Sequence, residues 1–70
     1  MNKKKMLSTL GDNIRMERLR KRYSQEKLSE LSGISCKYIM LIEKARVNPT
    51  IYVVYCICSA LEVDFKTLLS

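Results

Sequence analysis

The chain has no histidine, and its three cysteines, Cys36, Cys56 and Cys58, show no C-x-x-C spacing. That leaves no ordinary ligand set for a metal. With no nucleophile–base pair and no glycine-rich phosphate loop either, the residues offer nothing for an enzyme to work with. An odd cysteine count argues against a disulfide scaffold. Cys56 and Cys58 stand two apart on what reads as a helix, so they point to roughly opposite sides and do not bridge. Reduced, packing cysteines of a cytoplasmic protein are expected. No apolar run approaches the ~20 residues of a membrane span. Lys3 to Lys5 followed by the short, polar "MLSTLGDN" does not make a secretory leader. Repeats and low-complexity segments are absent as well.

What is present is one domain's worth of chain, 70 residues. A domain this small has a thin core, and a partner chain is then a natural stabiliser. The formal charge is +6 and unevenly spread: residues 1–27 carry nine basic and three acidic residues, residues 28–70 four of each. A basic half against a neutral half suits a polyanion facing the first half; a solvated basic helix is the alternative.

Residues 1–7 are polar and basic and read as a flexible tail. From Leu7 or Ser8 to about Arg22 the pattern is helical, with Leu10 and Ile14 one turn apart. Ser24 is a credible N-cap for a second helix, Gln25 to Leu31. Gly33 marks a turn, and Ser35 caps a third helix, Cys36 to Lys44. "RVNPT" is a loop in which Pro49 disfavours helix at Asn48 and Thr50 caps a fourth helix, Ile51 to Leu61. Ile51, Val54, Cys58 and Leu61 fit one face of that helix. Asp64 caps a short fifth helix, Phe65 to Leu69. The expected fold is all-α, a five-helix orthogonal bundle.

The informative unit is "SQEKLSELSGISCKYIMLIEK", Ser24 to Lys44. Leu28 and Leu31 supply core from its first helix, Ile34 plugs the turn, and Ile39 and Ile42 supply core from its second. Helix, glycine turn and helix in this register resemble a helix-turn-helix. The wider chain, residues 8–70, resembles the phage-repressor-like (Xre-type) DNA-binding domains. The resemblance is carried by "IRMERLRKRYSQEKLSELSGIS", "YIMLIEKARVNPT" and "SALEVDFKTLL". Ile14, Arg18, Ser24, Gln25, Gly33, Ile39, Ile42, Glu43, Asn48, Pro49, Ala60, Leu61, Val63 and Leu68 stand at the family's characteristic places. The resemblance implies a lambda-repressor-like bundle whose third helix enters the major groove of double-stranded DNA.

Around the third helix, Ile39, Ile42 and Glu43 share one side at about 100° per residue, whereas Cys36, Lys37, Met40, Leu41 and Lys44 fall on the other. In the family the outward set meets base edges. Lys37 is then the candidate for a guanine contact, and Cys36, Met40 and Leu41 for thymine methyl groups. Leu41 departs from the polar or basic residue usual there. Candidate phosphate contacts are Ser24, Gln25, Ser35, Tyr38, Lys44, Arg46 and Asn48; for Gln25 plain solvent exposure, for Tyr38 packing, and for Arg46 and Asn48 a solvated loop, are the alternatives. The resemblance also implies an ion pair between Arg18 and Glu43. Arg22, Ala45 and Glu62 stand where glycine often ends the first, third and fourth helices, at a cost in backbone strain.

The family tends to dimerise through its C-terminal part, which points to Tyr55, Phe65 and Leu69; completion of a monomer core is the other use for them. Two functions follow. One is a sequence-specific transcription regulator acting as a homodimer on a palindromic operator, repressor among its forms. The other uses the scaffold for protein contact, as in an antitoxin binding a toxin. Neither calls for a cofactor, a metal, a small-molecule ligand or a membrane.

Overall fold

Each helix starts on a side chain that accepts a hydrogen bond from the third residue onward, the geometry by which a polar residue closes an orphan helix-end N–H. The structure is a computed structural model and describes residues 2–70. Its helices are α1 (Lys3–Arg20), α2 (Gln25–Ser32), α3 (Cys36–Glu43), α4 (Ile51–Leu61) and α5 (Phe65–Leu69). The expected caps hold: Ser24 Oγ accepts from Lys27 N at 2.9 Å, Ser35 Oγ from Tyr38 N at 3.1 Å, Thr50 Oγ1 from Val53 N at 3.2 Å and Asp64 Oδ1 from Thr67 N at 2.9 Å.

The first helix departs from expectation at both ends. It begins at Lys3, not at Leu7 or Ser8, because Asn2 Oδ1 accepts from Lys5 N at 2.8 Å and supplies a cap. Three lysines in a first turn oppose the helix dipole, so their charge pattern suggests a tail where the cap makes a helix. Met1 of the expected tail lies outside the described residues. At the other end α1 stops at Arg20, and Arg22 takes a left-handed conformation with φ 61°.

Four helix ends reverse through left-handed residues: Arg22, Gly33 (φ 77°), Ala45 (φ 57°) and Glu62 (φ 59°). After α3, Ala45 N donates to Ile42 O and Arg46 N to Leu41 O, the paired bonds of a Schellman turn. The same pair recurs after α1 and α4. Only Gly33 takes this conformation without a Cβ penalty.

The core is Leu10 and Ile14 of α1, Leu28 of α2, Ile39 and Ile42 of α3, Val54, Ile57, Cys58 and Leu61 of α4, and Leu68 of α5. Two expected core residues are outside it. Leu31 is 45% exposed, because α2 packs through one edge centred on Leu28 and Leu31 falls to the side. Ile51 is 75% exposed at the first position of α4, on the lining of an open groove, and Ile57 joins the buried face instead.

Helix α1 lies against α3 and α5, and α2 against α3 and α4. The α1–α3 contact depends on Gly11. A Cβ there would stand 2.5 Å from the carbonyl oxygen of Ile42 and 2.9 Å from that of Glu43. Glycine inside a helix ordinarily costs about 1 kcal/mol against alanine; here it permits backbone contact with the end of α3. Asn13 Nδ2 donates to Leu68 O at 2.9 Å and pins α5 to α1.

All three cysteines are free. Burial, with the nearby Asp64 charge, pushes the Cys58 thiol above its ordinary range, so it is a packing group and not a nucleophile. Among the described residues no cluster could hold a metal ion, and no helix is long and apolar enough to cross a membrane.

Candidate nucleic-acid interface

The helix-turn-helix is fixed from below by a charged cluster. Arg18 of α1 donates from Nε to Glu43 Oε2 at 2.8 Å and from Nη2 to Glu43 Oε1 at 3.1 Å. Its Nη1 donates to Tyr23 O at 2.9 Å. Side-chain exposures are 10% for Arg18 and 4% for Glu43, so the pair is nearly dry. The hydrogen bond to Glu43 holds the Arg18 pKa above its already high value against the opposing effect of burial, so the guanidinium stays charged. The ion pair that the family resemblance implies is thus present, joining the C-terminal halves of α1 and α3.

A third group enters the cluster. Gln25, the first residue of α2, donates from Nε2 to Glu43 Oε1 at 3.2 Å. Sequence reasoning put Gln25 on a phosphate and gave no sign of this inward bond, because residues 25 and 43 share no helix. Gly11 and Asn13 also escaped it, although a glycine amid a helical pattern is a usable signal for close backbone approach.

Helix α3 presents the two faces expected of it. Ile39 and Ile42 are buried. On the other side Lys37 and Lys44 are exposed, and Cys36, Met40 and Leu41 are half-buried. Met40 and Leu41 are not among the residues packed on the core, whereas Tyr38 is. The exposed hydroxyls of Ser24 and Ser35 spend their acceptor capacity on caps and keep an O–H to donate. Arg46 and Asn48 are exposed in the loop after α3. These residues lie on the two helix starts and the loop around α3, and the interior cluster ties the start of α2 and the end of α3 to α1.

The α4–α5 side is different in character. Tyr52 is 70% exposed, Tyr55 58% and Leu69 39%, while Phe65 is half-buried on the core. Met6, Leu7, Leu10, Pro49, Ile51, Val54, Phe65 and Leu69, with Asn48, line an apolar groove of about 230 Å³ beside them. Lys21 Nζ and Glu62 Oε1 meet at 2.8 Å on the surface between the ends of α1 and α4. Their hydrogen bond raises the lysine pKa and lowers that of the glutamate.

The family model described as "Helix-turn-helix" matches residues 14–68. No curated protein matches the chain. Among solved structures, the restriction-modification controller protein C.AhdI from Aeromonas hydrophila is similar at 29% identity with a TM-score of 0.85, over 89% of this chain and 94% of that one. A hypothetical transcription factor, NHTF, from Neisseria is similar at 27% identity with a TM-score of 0.90, over 100% of this chain and 80% of that one. The restriction-modification controller protein C.Esp1396I, solved as a tetramer in complex with its natural 35 base-pair operator, is similar at 33% identity with a TM-score of 0.83, over 90% of this chain and 83% of that one.

Proposed function

Because the chain belongs to the helix-turn-helix family of DNA-binding transcriptional regulators, we propose that it binds double-stranded DNA sequence-specifically, as a homodimer on a palindromic operator, with α3 in the major groove. The family is one of regulators and not of enzymes. The chain acts in the cytoplasm, without cofactor or metal.

The observation that carries this reading is the exposed face of α3, with Lys37 and Lys44 free for contact and the helix held from behind by Arg18 and Glu43. Lys37 reads a guanine, and Cys36, Met40 and Leu41 pack on thymine methyl groups. Ser24, Gln25, Ser35, Lys44, Arg46 and Asn48 hold phosphates, as does the Tyr38 hydroxyl. The basic first half of the chain supplies the sequence-independent attraction. Tyr55, Phe65 and Leu69 form the dimer contact, which sets two α3 helices about 34 Å apart in successive grooves. The similarity to two restriction-modification controllers, one of them solved on its operator, supports a controller of such a system over other regulator types.

Selection of duplexes from a random-sequence pool tests the reading. A palindromic site, bound with an affinity that falls steeply with salt, is expected. Weak and sequence-blind binding by folded protein at physiological salt would remove it.

A further inference from the structure

Among the described residues, Glu43 is the carboxylate that two other helices share: Arg18 of α1 takes both of its oxygens, and Gln25 of α2 takes one of them. A carboxylate only accepts, so the nitrogen end of the Gln25 amide must face it. The last torsion of a glutamine is otherwise broad, and either end of the amide can turn outward. Here the bond to Glu43 selects one orientation. One amide N–H is used on Glu43, and the second donates to no group among the described residues. Glu43 cannot drift to follow the amide, because two bonds from Arg18 fix it and Arg18 is itself tied to Tyr23 O.

We infer that Glu43 is a positioning residue for DNA: its hydrogen bond aims the remaining N–H of Gln25 at a single backbone phosphate in each half-site. The inference rests on the DNA-binding function proposed above and deepens it. Glu43, at 4% side-chain exposure, does not itself touch the duplex. A donor fixed in advance loses no rotamer freedom on binding, which is where its advantage lies. The contact is with phosphate and not with a base, because Gln25 opens α2, the helix that crosses the backbone in this motif.

The test uses the full chain and a duplex it selects from a random-sequence pool, with each phosphate in turn replaced by an uncharged methylphosphonate. For the wild type, one replacement per half-site costs about tenfold in affinity, the scale of a lost hydrogen bond to a charged group. In Gln25→Ala that cost disappears and the costs at other phosphates remain. An Arg18→Met/Glu43→Leu double variant, which leaves no acceptor for the Gln25 amide and no stranded charge, is expected, when folded by circular dichroism, to lose the cost at the same phosphate and at no other. If the cost persists in the double variant while vanishing in Gln25→Ala, or if the double variant weakens every phosphate alike, the positioning role is wrong. Should the double variant not fold, nuclear magnetic resonance of the free wild type decides: a rigid Gln25 side-chain amide supports the role, and a freely rotating one overturns it. A folded wild type that selects no duplex removes the proposed function itself, a result distinct from all of these.

Discussion

Arg18 and Glu43, 25 residues apart in the chain, meet through two near-parallel hydrogen bonds of 2.8 and 3.1 Å between α1 and α3. A planar guanidinium fits a carboxylate in this manner and a lysine ammonium does not. Removing one partner strands the other charge in a dry site. Arg18→Ala or Glu43→Ala is therefore expected to destabilise the fold by about 3–5 kcal/mol, whereas replacing both by apolar residues of similar volume costs much less. Urea unfolding of the two single variants and an Arg18→Met/Glu43→Leu double variant measures the difference; equal loss in all three would mean the charges are not coupled.

Glycine is the favoured residue at both position 11 and position 45, although only the first carries it. Gly11→Ala normally gains about 1 kcal/mol inside a helix, but here the new methyl meets the Ile42 carbonyl oxygen at 2.5 Å. A loss of about 1–3 kcal/mol is expected, since backbone cannot move aside cheaply. Ala45→Gly relieves a left-handed alanine at φ 57° and should gain about 0.5–1 kcal/mol. Thermal unfolding gives both signs.

Acid should loosen α5 first. Asp64 accepts from Thr67 N and Thr67 Oγ1, and these bonds lower its pKa below the ordinary value of 3.8. A carboxylate with a depressed folded pKa stabilises the fold above the unfolded value, and that contribution is lost as pH falls through the folded one. Amide exchange in Phe65–Leu69 should therefore quicken below about pH 3.8. Asp64→Asn, which keeps a cap but does not titrate, should abolish that dependence.

Contacts to bases and to phosphates separate by their response to sequence and salt. Lys37→Ala is expected to cost about 1–3 kcal/mol on the selected site and to relax preference at one base pair. Arg46→Ala should weaken binding on all duplexes alike and lower the salt slope by about one. Fluorescence anisotropy on the selected and on scrambled duplexes distinguishes them; a Lys37→Ala loss that is the same on both makes Lys37 a phosphate contact.

The dimer contact proposed on the α4–α5 side has its own variants. Tyr55→Asp and Leu69→Asp place a charge on the apolar surface and should shift sedimentation from dimer to monomer without unfolding the chain, since both side chains are exposed. Leu31→Asp, on an exposed leucine of α2, is the control that should leave the dimer intact.

Much of this molecule was legible as local chemistry. Ser24, Ser35, Thr50 and Asp64 could be picked out as caps because a helix start is decided within four residues. Arg22, Ala45 and Glu62 stood out as residues in glycine places, and all three adopt positive φ. The alternating faces of α3 followed from helical period. The Asn2 cap is hidden in the sequence by the three lysines that follow it, and Ile51 and Leu31 lie outside the core because period gives a face without saying where the bundle ends.

The sequence by itself thus determined the helices, their caps and turns, and the family to which the pattern belongs, since these depend on short-range sterics and hydrogen bonding. Tertiary structure alone decided which apolar residues are buried, where Gly11 admits the end of α3, and that Glu43 faces Gln25 as well as Arg18. Those relationships join residues from different helices, and their distances exist only once the helices have packed.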